Sequence, residues 1–421
     1  MTGGLMLVGV IALLLLLRQP LLVILLAAVA VVHMVWGRGQ LDYIIEDMWI
    51  SLDKELILSI PMFILCGGVM TKGSTAKRLI DVATALTGHL PGGLAVASIL
   101  SCGIFAAISG SSIVTMLAIG TVMLPAMQKA GYSTRYSLGA VMAGGTLGII
   151  IPPSIPLILY GLVTETSITD LFLAGVGPGI LLITAFAVHG MWVNRRLPTP
   201  GFDFVALGTA LRRGVWAILM PVILLGGIYS GYFSAIEAAA MALIYALVIE
   251  IFVHGGFKAK DLYEVMLDAS KLGGTLFPLL AVALSLNLVL TEHRVPMMAV
   301  EFMQGWIESP LVFMLLVNVL LLVVGAIMTT GEAILILGPI LAPLAAAYGY
   351  DKVLFGIIMI VNLEIGYLTP PVGLNLLVAM TAFKRKFGEL AIAALPFILI
   401  MMFCLALIVW QPWISMALVQ P

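Results

Sequence analysis

Gly144-Gly145-Thr146-Leu147-Gly148-Ile149-Ile150-Ile151-Pro152-Pro153-Ser154 reads as an apolar helix weakened by glycine and then stopped by a proline pair. The stretch Ile365-Gly366-Tyr367-Leu368-Thr369-Pro370-Pro371-Val372-Gly373-Leu374-Asn375 reads the same way, and its proline pair lies 218 positions further on. The same offset carries Pro125, Gly131 and Tyr132 onto Pro343, Gly349 and Tyr350. The chain therefore holds an internal repeat marked by its helix breakers. In a membrane protein, paired interrupted segments of this kind point to a secondary transporter with its site where the breaks meet, near the bilayer midplane.

Composition places the chain in a bilayer. Of 421 residues, 62% are hydrophobic and 10% charged, so no segment has the makeup of a soluble domain or of a basic nucleic-acid-binding face. Cys66, Cys102 and Cys404 are odd in number, far apart and in apolar surroundings, which argues for packing over a disulfide framework or a zinc site. The N-terminal run lacks a basic region before it and a small-residue cleavage site after it, so it reads as a retained helix. No cofactor box and no catalytic constellation stands out; the chain reads as a transport protein, not an enzyme. The 24 Met and seven Trp read as packing and interfacial anchors, with Trp36, Trp49, Trp306 and Trp410 at span ends.

Apolar patterning gives candidate spans at 4–17, 21–36, 56–71, 136–163, 171–193, 214–229, 233–253, 272–290, 353–381 and 390–412. Two further apolar stretches, 92–125 and 310–343, each carry a polar cluster at the centre: Ser109-Gly110-Ser111-Ser112 and Thr329-Thr330-Gly331-Glu332. They read as re-entrant hairpins; the rival is a pair of short crossings with the polar turn at a surface.

Charge placement decides between the two. If both hairpins return to the side they entered from, Arg18, Lys72, Lys77, Arg78, Lys129, Arg135, Arg195, Arg196, Arg212, Arg213, Lys258, Lys260, Lys271, Lys384, Arg385 and Lys386 share one face. Only Arg38, Lys54, Arg294 and Lys352 face the other. That is the positive-inside bias, so the first face is cytoplasmic and both termini lie outside. The chain then divides into scaffold helices (1–55), a first repeat (56–195), connecting scaffold (196–270) and a second repeat (271–421) of opposite orientation. The expected fold is an all-α polytopic membrane protein with inverted repeats, two re-entrant hairpins and two broken helices.

The chemistry follows from what a break exposes. Non-helical backbone at membrane depth persists only when buried in protein or facing a wet cavity. Carbonyls around Gly145, Thr146 and Gly148, and around Gly366, are oxygen ligands suited to a hard cation, with the Thr369 hydroxyl and the Asn375 amide as further oxygens. At the hairpin tips, carbonyl ends suit a cation, while the amides at Ser111, Ser112 and Thr330 attract an anionic group beside Pro152, Pro153, Pro370 and Pro371. Na⁺ as coupling ion with an organic anion is the natural combination. One isolated proline pair more often kinks a structural helix, but two breaks and two polar tips at one offset do not recur by accident.

The runs Gly67-Gly68 to Lys72, Gly88-His89-Leu90-Pro91-Gly92-Gly93, Ala107-Ile108-Ser109-Gly110-Ser111-Ser112, Gly148-Ile149-Ile150-Ile151-Pro152-Pro153-Ser154-Ile155-Pro156 and Thr369-Pro370-Pro371-Val372-Gly373 resemble the large membrane subunit of TRAP (tripartite ATP-independent periplasmic) transporters, DctM-like. The resemblance extends over nearly the whole chain, through Ile60-Pro61-Met62-Phe63-Ile64-Leu65 and Leu171-Phe172-Leu173-Ala174-Gly175. It implies a bacterial inner-membrane permease and a periplasmic solute-binding protein that delivers a carboxylated solute. It also implies a Na⁺ gradient as driving force, a separate four-helix small membrane subunit and an elevator-type motion. One departure matters: where the family shows Asp in Gly-x-x-Met-Asp, Gly325-Ala326-Ile327-Met328 is followed here by Thr329. Glu332 or Glu364 is then the carboxylate available to replace it.

Two other glutamates read as structural: Glu237 as a helix-end cap, and Glu250, beside His254, as a snorkelling end residue. A stand-alone Na⁺- or H⁺-coupled organic anion symporter of similar build, needing no binding protein, is the competing reading. A structural subunit of a larger membrane enzyme would need ionisable chains through successive spans, which the sequence lacks.

Overall fold

The computed structural model describes residues 19–35 and 43–419, with positions 6, 9–11, 13, 14 and 17 of the first segment. Half of the expected span 4–17 lies outside the described residues, as do Arg18, Trp36 and Arg38. Everything regular among the described residues is helical: α1 (Leu21–Val35), α2 (Tyr43–Leu52), α3 (Ser59–Lys72), α4 (Thr75–Thr87), α5 (Gly93–Ser109), α6 (Ser112–Lys129), α7 (Thr134–Ile150), α8 (Ile155–Thr164) and α9 (Ile168–Val193). There follow α10 (Phe204–Tyr229), α11 (Ala235–Val248), α12 (Ala259–Glu292), α13 (Val295–Gln304), α14 (Pro310–Gly325), α15 (Thr330–Ala347), α16 (Lys352–Tyr367), α17 (Leu374–Ala382), α18 (Phe387–Trp410) and the short α19 (Trp413–Met416).

The order helix pair, interrupted helix, long helix occurs twice, as α5–α9 and as α14–α18, with starts close to 218 residues apart. Among the described residues, nine helices are long and apolar enough to cross a membrane by length and composition. Ser112–Lys129 and Thr330–Ala347 are among the nine, although the sequence reads them as second arms of hairpins. At 1.5 Å per residue an 18-residue helix measures about 27 Å, so length alone admits them.

The interrupted helices sit at the centre. Every residue of α16 from Val353 onward is buried, as is every residue of α7 from Tyr136 onward, against arms α5, α6, α14 and α15 and helices α9 and α18. Such all-round burial suits helices whose ends leave backbone groups to be satisfied inside the protein. Around them, α3 and α12 pack on each other, α12 also on α1 and α3 also on α11.

Glu250 departs from its expected role. Instead of snorkelling to the interface it is completely buried, in a π-helical turn (Ile249–Val253) that extends α11. Its carboxylate accepts the backbone amides of Ser74 and Thr75, each at 3.0 Å, and the Thr75 hydroxyl. Ser74, the N-cap of α4, makes no capping bond of its own, so the cap comes from a residue 176 positions away. A carboxylate at a helix N-terminus is favoured by the helix dipole, and Gly73 makes room for it, since a Cβ there would lie 2.2 Å from the Glu250 carboxyl carbon. Glu250→Gln is expected to cost about 2 kcal/mol, the range for a charge-assisted hydrogen bond, read as a lower unfolding midpoint in detergent. An unchanged midpoint would show that α4 is held by its apolar face alone. Glu237, by contrast, forms a capping box with Ser234 at the start of α11.

Candidate functional site

The turn between α5 and α6 is set by residues that stop one helix and start the next. Gly110 ends α5 in the left-handed region (φ +58°), and Ser111 caps α6 by accepting the Val114 amide. Ser109 and Thr115, on opposite arms, share a hydrogen bond of 2.6 Å that closes the tip. Helix α7 then packs against it. A Cβ on Gly148 would lie 2.4 Å from the Ser111 carbonyl oxygen, and one on Gly145 would lie 2.6 Å from Met116 Cβ.

The turn between α14 and α15 is built with different chemistry. Thr329 caps α15 and forms a reciprocal capping box with Glu332, whose carboxylate accepts the Thr329 amide at 3.0 Å. Thr is itself a competent N-cap, so its presence where the TRAP family pattern shows Asp keeps the helix start and removes only the charge. Glu332 is thereby committed to the helix end. The backbones of Gly325 and Gly366 cross so closely that a Cβ on Gly366 would lie 2.4 Å from the Gly325 carbonyl carbon. The Ala326 carbonyl accepts the amides of Val372 and Gly373, tying this tip to the second break.

Both tips meet at Glu364. Its side chain is fully buried in α16; Oε1 accepts the Thr330 hydroxyl at 3.2 Å, and Oε2 has no hydrogen-bond partner. Ser112 lies close to the same carboxyl without a hydrogen bond of regular geometry, and its hydroxyl accepts the Asn375 amide at 2.7 Å. Ser112 and Thr330 occupy equivalent repeat positions, each the first residue of a second arm. The first residues of two helices thus flank one buried carboxyl, and the second residue of a third, Asn375 of α17, joins the cluster through Ser112 with its own amide oxygen also unpartnered. Such orphaned oxygens are rare in a packed interior and are available to a bound ligand. Oxygen-rich, with one formal charge, the cluster has the donor set of a hard monovalent cation. No group of three or more His, Cys, Asp or Glu among the described residues could hold a transition metal.

The breaks contribute unequally. In the first, Pro152 and Pro153 supply no amide to the carbonyls of Gly148 and Ile149, both prolines are buried, and Pro153 O faces the first tip beside Gly110. Ser154 caps the resumed helix α8. In the second, the Thr369 amide takes the Gly366 carbonyl, the Thr369 hydroxyl donates back to Ile365 O, and Pro370 and Pro371 are exposed. Thr146, the repeat equivalent of Glu364, turns its hydroxyl to Ala143 O at 2.7 Å within its own helix. The structure therefore gathers Ser109, Gly110, Ser111, Ser112, Gly145 and Gly148 at one tip and Thr330, Glu364, Gly366 and Asn375 at the other. Glu332 and Thr146 have local structural bonds.

Three participants were not singled out from the sequence. Tyr367 accepts the Thr330 amide at 2.6 Å, Thr115 closes the first tip, and Asn362 bonds Asn318 at 2.6 Å, joining α16 to α14. Asn362 and Glu364 stand two residues apart in an otherwise apolar helix, and a buried amide next to a buried carboxyl was the available signal.

The family model described as "Tripartite ATP-independent periplasmic transporter, DctM component" matches residues 8–414. The chain is 42% identical over 365 residues to the C4-dicarboxylate TRAP transporter large permease protein of Pseudomonas aeruginosa, covering 86% of each. It is 34% identical over 410 residues to the ectoine TRAP transporter large permease protein of Halomonas elongata, covering 96% of each. Among solved structures, the Alcanivorax borkumensis YdaH transporter is similar in fold, with a TM-score of 0.64 at 16% identity over 91% of this chain and 90% of that one.

Proposed function

This chain belongs to the DctM component family of tripartite ATP-independent periplasmic transporters, a multi-pass large permease subunit and not an enzyme, and on that premise we propose that it couples Na⁺ entry to import of a carboxylated organic solute. The observation that carries the reading is Glu364, buried between the equivalent hydroxyls Ser112 and Thr330 with one oxygen unpartnered. A buried carboxylate is costly without counter-charge, and Na⁺ supplies it without a fixed cation nearby. With Na⁺ in place, the positive ends of α6 and α17 favour an anionic carboxylate, whereas the first amide of α15, Thr330, is already given to Tyr367. The ion then lowers the cost of binding the solute, which is the coupling.

The sequence charge bias supports a topology in which α5–α6 enters from the cytoplasm and α14–α15 from outside, both as re-entrant hairpins of inverted repeats. Both termini are periplasmic in that topology, in a bacterial inner membrane. An elevator motion is the natural consequence: tips and broken helices, packed on one another, carry the site past a scaffold of α3, α10, α11 and α12. The proposed partners are a small four-helix membrane subunit and a periplasmic solute-binding protein. The solute class is drawn from relatives named for C4-dicarboxylates and ectoine, which share a carboxylate.

The test is uptake of radiolabelled C4-dicarboxylates and ectoine into proteoliposomes holding this chain and its small subunit, with and without an inward Na⁺ gradient and the binding protein. Uptake requiring both gradient and binding protein is expected. Na⁺-driven uptake without the binding protein would overturn the tripartite reading in favour of a stand-alone symporter, and uptake indifferent to Na⁺ would overturn the coupling ion.

A further inference from the structure

A cavity of about 380 Å³ lies away from Glu364, between α2, α12 and α13 on one wall and α8, α15 and α16 on the other. Its lining brings together Lys54, Arg294 and Lys352, all described members of the minority charge face, from three separate parts of the chain. All three are exposed, and no ion pair among the described residues engages them. The acid next to Lys352, Asp351, spends its Oδ1 on capping α16 through the amides of Val353 and Leu354. One carboxylate, Glu165, also lines the cavity, which leaves an excess of two positive charges. The remaining wall is largely apolar, with Asn287 and Thr291 as hydrogen-bonding groups.

The cavity is connected to the candidate site by the helices that carry it. Pro339 lines the cavity and lies nine residues along α15 from Thr330, about 14 Å at 1.5 Å per residue. Val163 is nine residues along α8 from Ser154 and lines the same wall. We propose that this cavity is an antechamber for organic carboxylates, held by Lys54, Arg294 and Lys352 before they reach the tips. Its volume lies in the range of small-molecule sites, and a cleft with an excess of one sign of charge concentrates counter-charged solutes, about tenfold in a favourable case. The carboxylate class rests on the proposed solute; the electrostatic part does not.

A thiol placed in the lining by Thr291→Cys tests this, since the native Cys66, Cys102 and Cys404 are all buried. The purified chain in lipid nanodiscs, in K⁺ medium without Na⁺, is reacted with anionic methanethiosulfonate ethylsulfonate and with its cationic trimethylammonium counterpart. Each rate is normalised to that of a free thiol in solution. The anionic reagent is expected to react about tenfold faster, and millimolar succinate to slow it severalfold. The preference is expected to vanish in K54Q/R294Q/K352Q and to persist in the charge-retaining K54R/R294K/K352R. Equal rates, or a preference that survives neutralisation of the three cations, would overturn the antechamber; a preference without succinate protection would overturn carboxylates as its ligands. Because no Na⁺ is present, none of these outcomes depends on the coupling reading, whose failure would appear only in uptake.

Discussion

Glu364→Gln is expected to lower Na⁺-driven uptake about a hundredfold at a fixed low Na⁺ concentration, while Glu332→Gln lowers it about twofold or less. The two residues differ in what their oxygens already do. Glu332 gives its carboxylate to the Thr329 amide in a capping box, a role that an amide oxygen also fills, as Gln does in such boxes. Glu364 has one oxygen on Thr330 and one on nothing, deep in a buried helix. Removing a charge that a cation would otherwise neutralise forfeits about 3 kcal/mol, which is about a hundredfold in affinity. The effect belongs to the Na⁺ requirement, so raising Na⁺ is expected to restore part of the rate. Equal losses in the two variants would refute the assignment of the cation to Glu364. If the coupling ion were a proton, Glu364→Gln would be inactive at every Na⁺ concentration, and replacing Na⁺ by K⁺ would leave the native rate unchanged.

The asymmetry behind this prediction was half legible in the sequence. The offset of 218 residues pairs Ser112 with Thr330, two hydroxyl residues at matching places, and these converge in space. It also pairs Glu364 with Thr146, and here residue type tells which repeat holds the charge but not what either side chain meets. That depends on rotamer and neighbour: Thr146 bonds back into its own helix, whereas Glu364 accepts Thr330 at the tip of its own repeat and lies close to Ser112 of the other. Tip polarity was readable because a Ser-Gly-Ser-Ser run has no place in lipid; the capping of α15 by Thr329 and Glu332 was readable in principle from the Thr-x-x-Glu spacing.

Elements that are amphipathic, not uniformly apolar, escaped a reading based on hydropathy. Helix α4 buries Leu79, Ile80, Val82 and Ala83 on one side and keeps charges on the other, so no apolar run marks it. The cap that holds its start, Glu250, is remote in sequence and therefore invisible to any local pattern. The same holds for the cavity of Lys54, Arg294 and Lys352: their shared face follows from charge counting, but their meeting in one cleft depends on how α2, α12 and α16 pack.

Gly366→Val is expected to destabilise the protein by more than about 3 kcal/mol and to reduce uptake to background, whereas Gly388→Ala leaves both unchanged. At Gly366 the obstacle is backbone. An added Cβ would sit 2.4 Å from the Gly325 carbonyl carbon and 2.7 Å from the Ala326 amide nitrogen, and neither can swing aside as a side chain would. The Ala326 carbonyl also holds the amides of Val372 and Gly373, so displacing the tip breaks the link to the second break as well. Overpacking a dense interior usually costs about 1–3 kcal/mol, and a fixed backbone neighbour moves the cost to the top of that range and beyond. Gly388 has open space around its position, so a methyl there meets nothing. In the first repeat Gly148 presses on the Ser111 carbonyl in the equivalent way, so Gly148→Val is expected to behave like Gly366→Val. Unfolding midpoints in detergent and uptake in proteoliposomes separate two roles for the crossing. Loss of uptake with a retained midpoint would mean that the tips must slide past the glycines during transport, and full uptake in Gly366→Val would show that the helix and tip do not touch as closely as this packing requires.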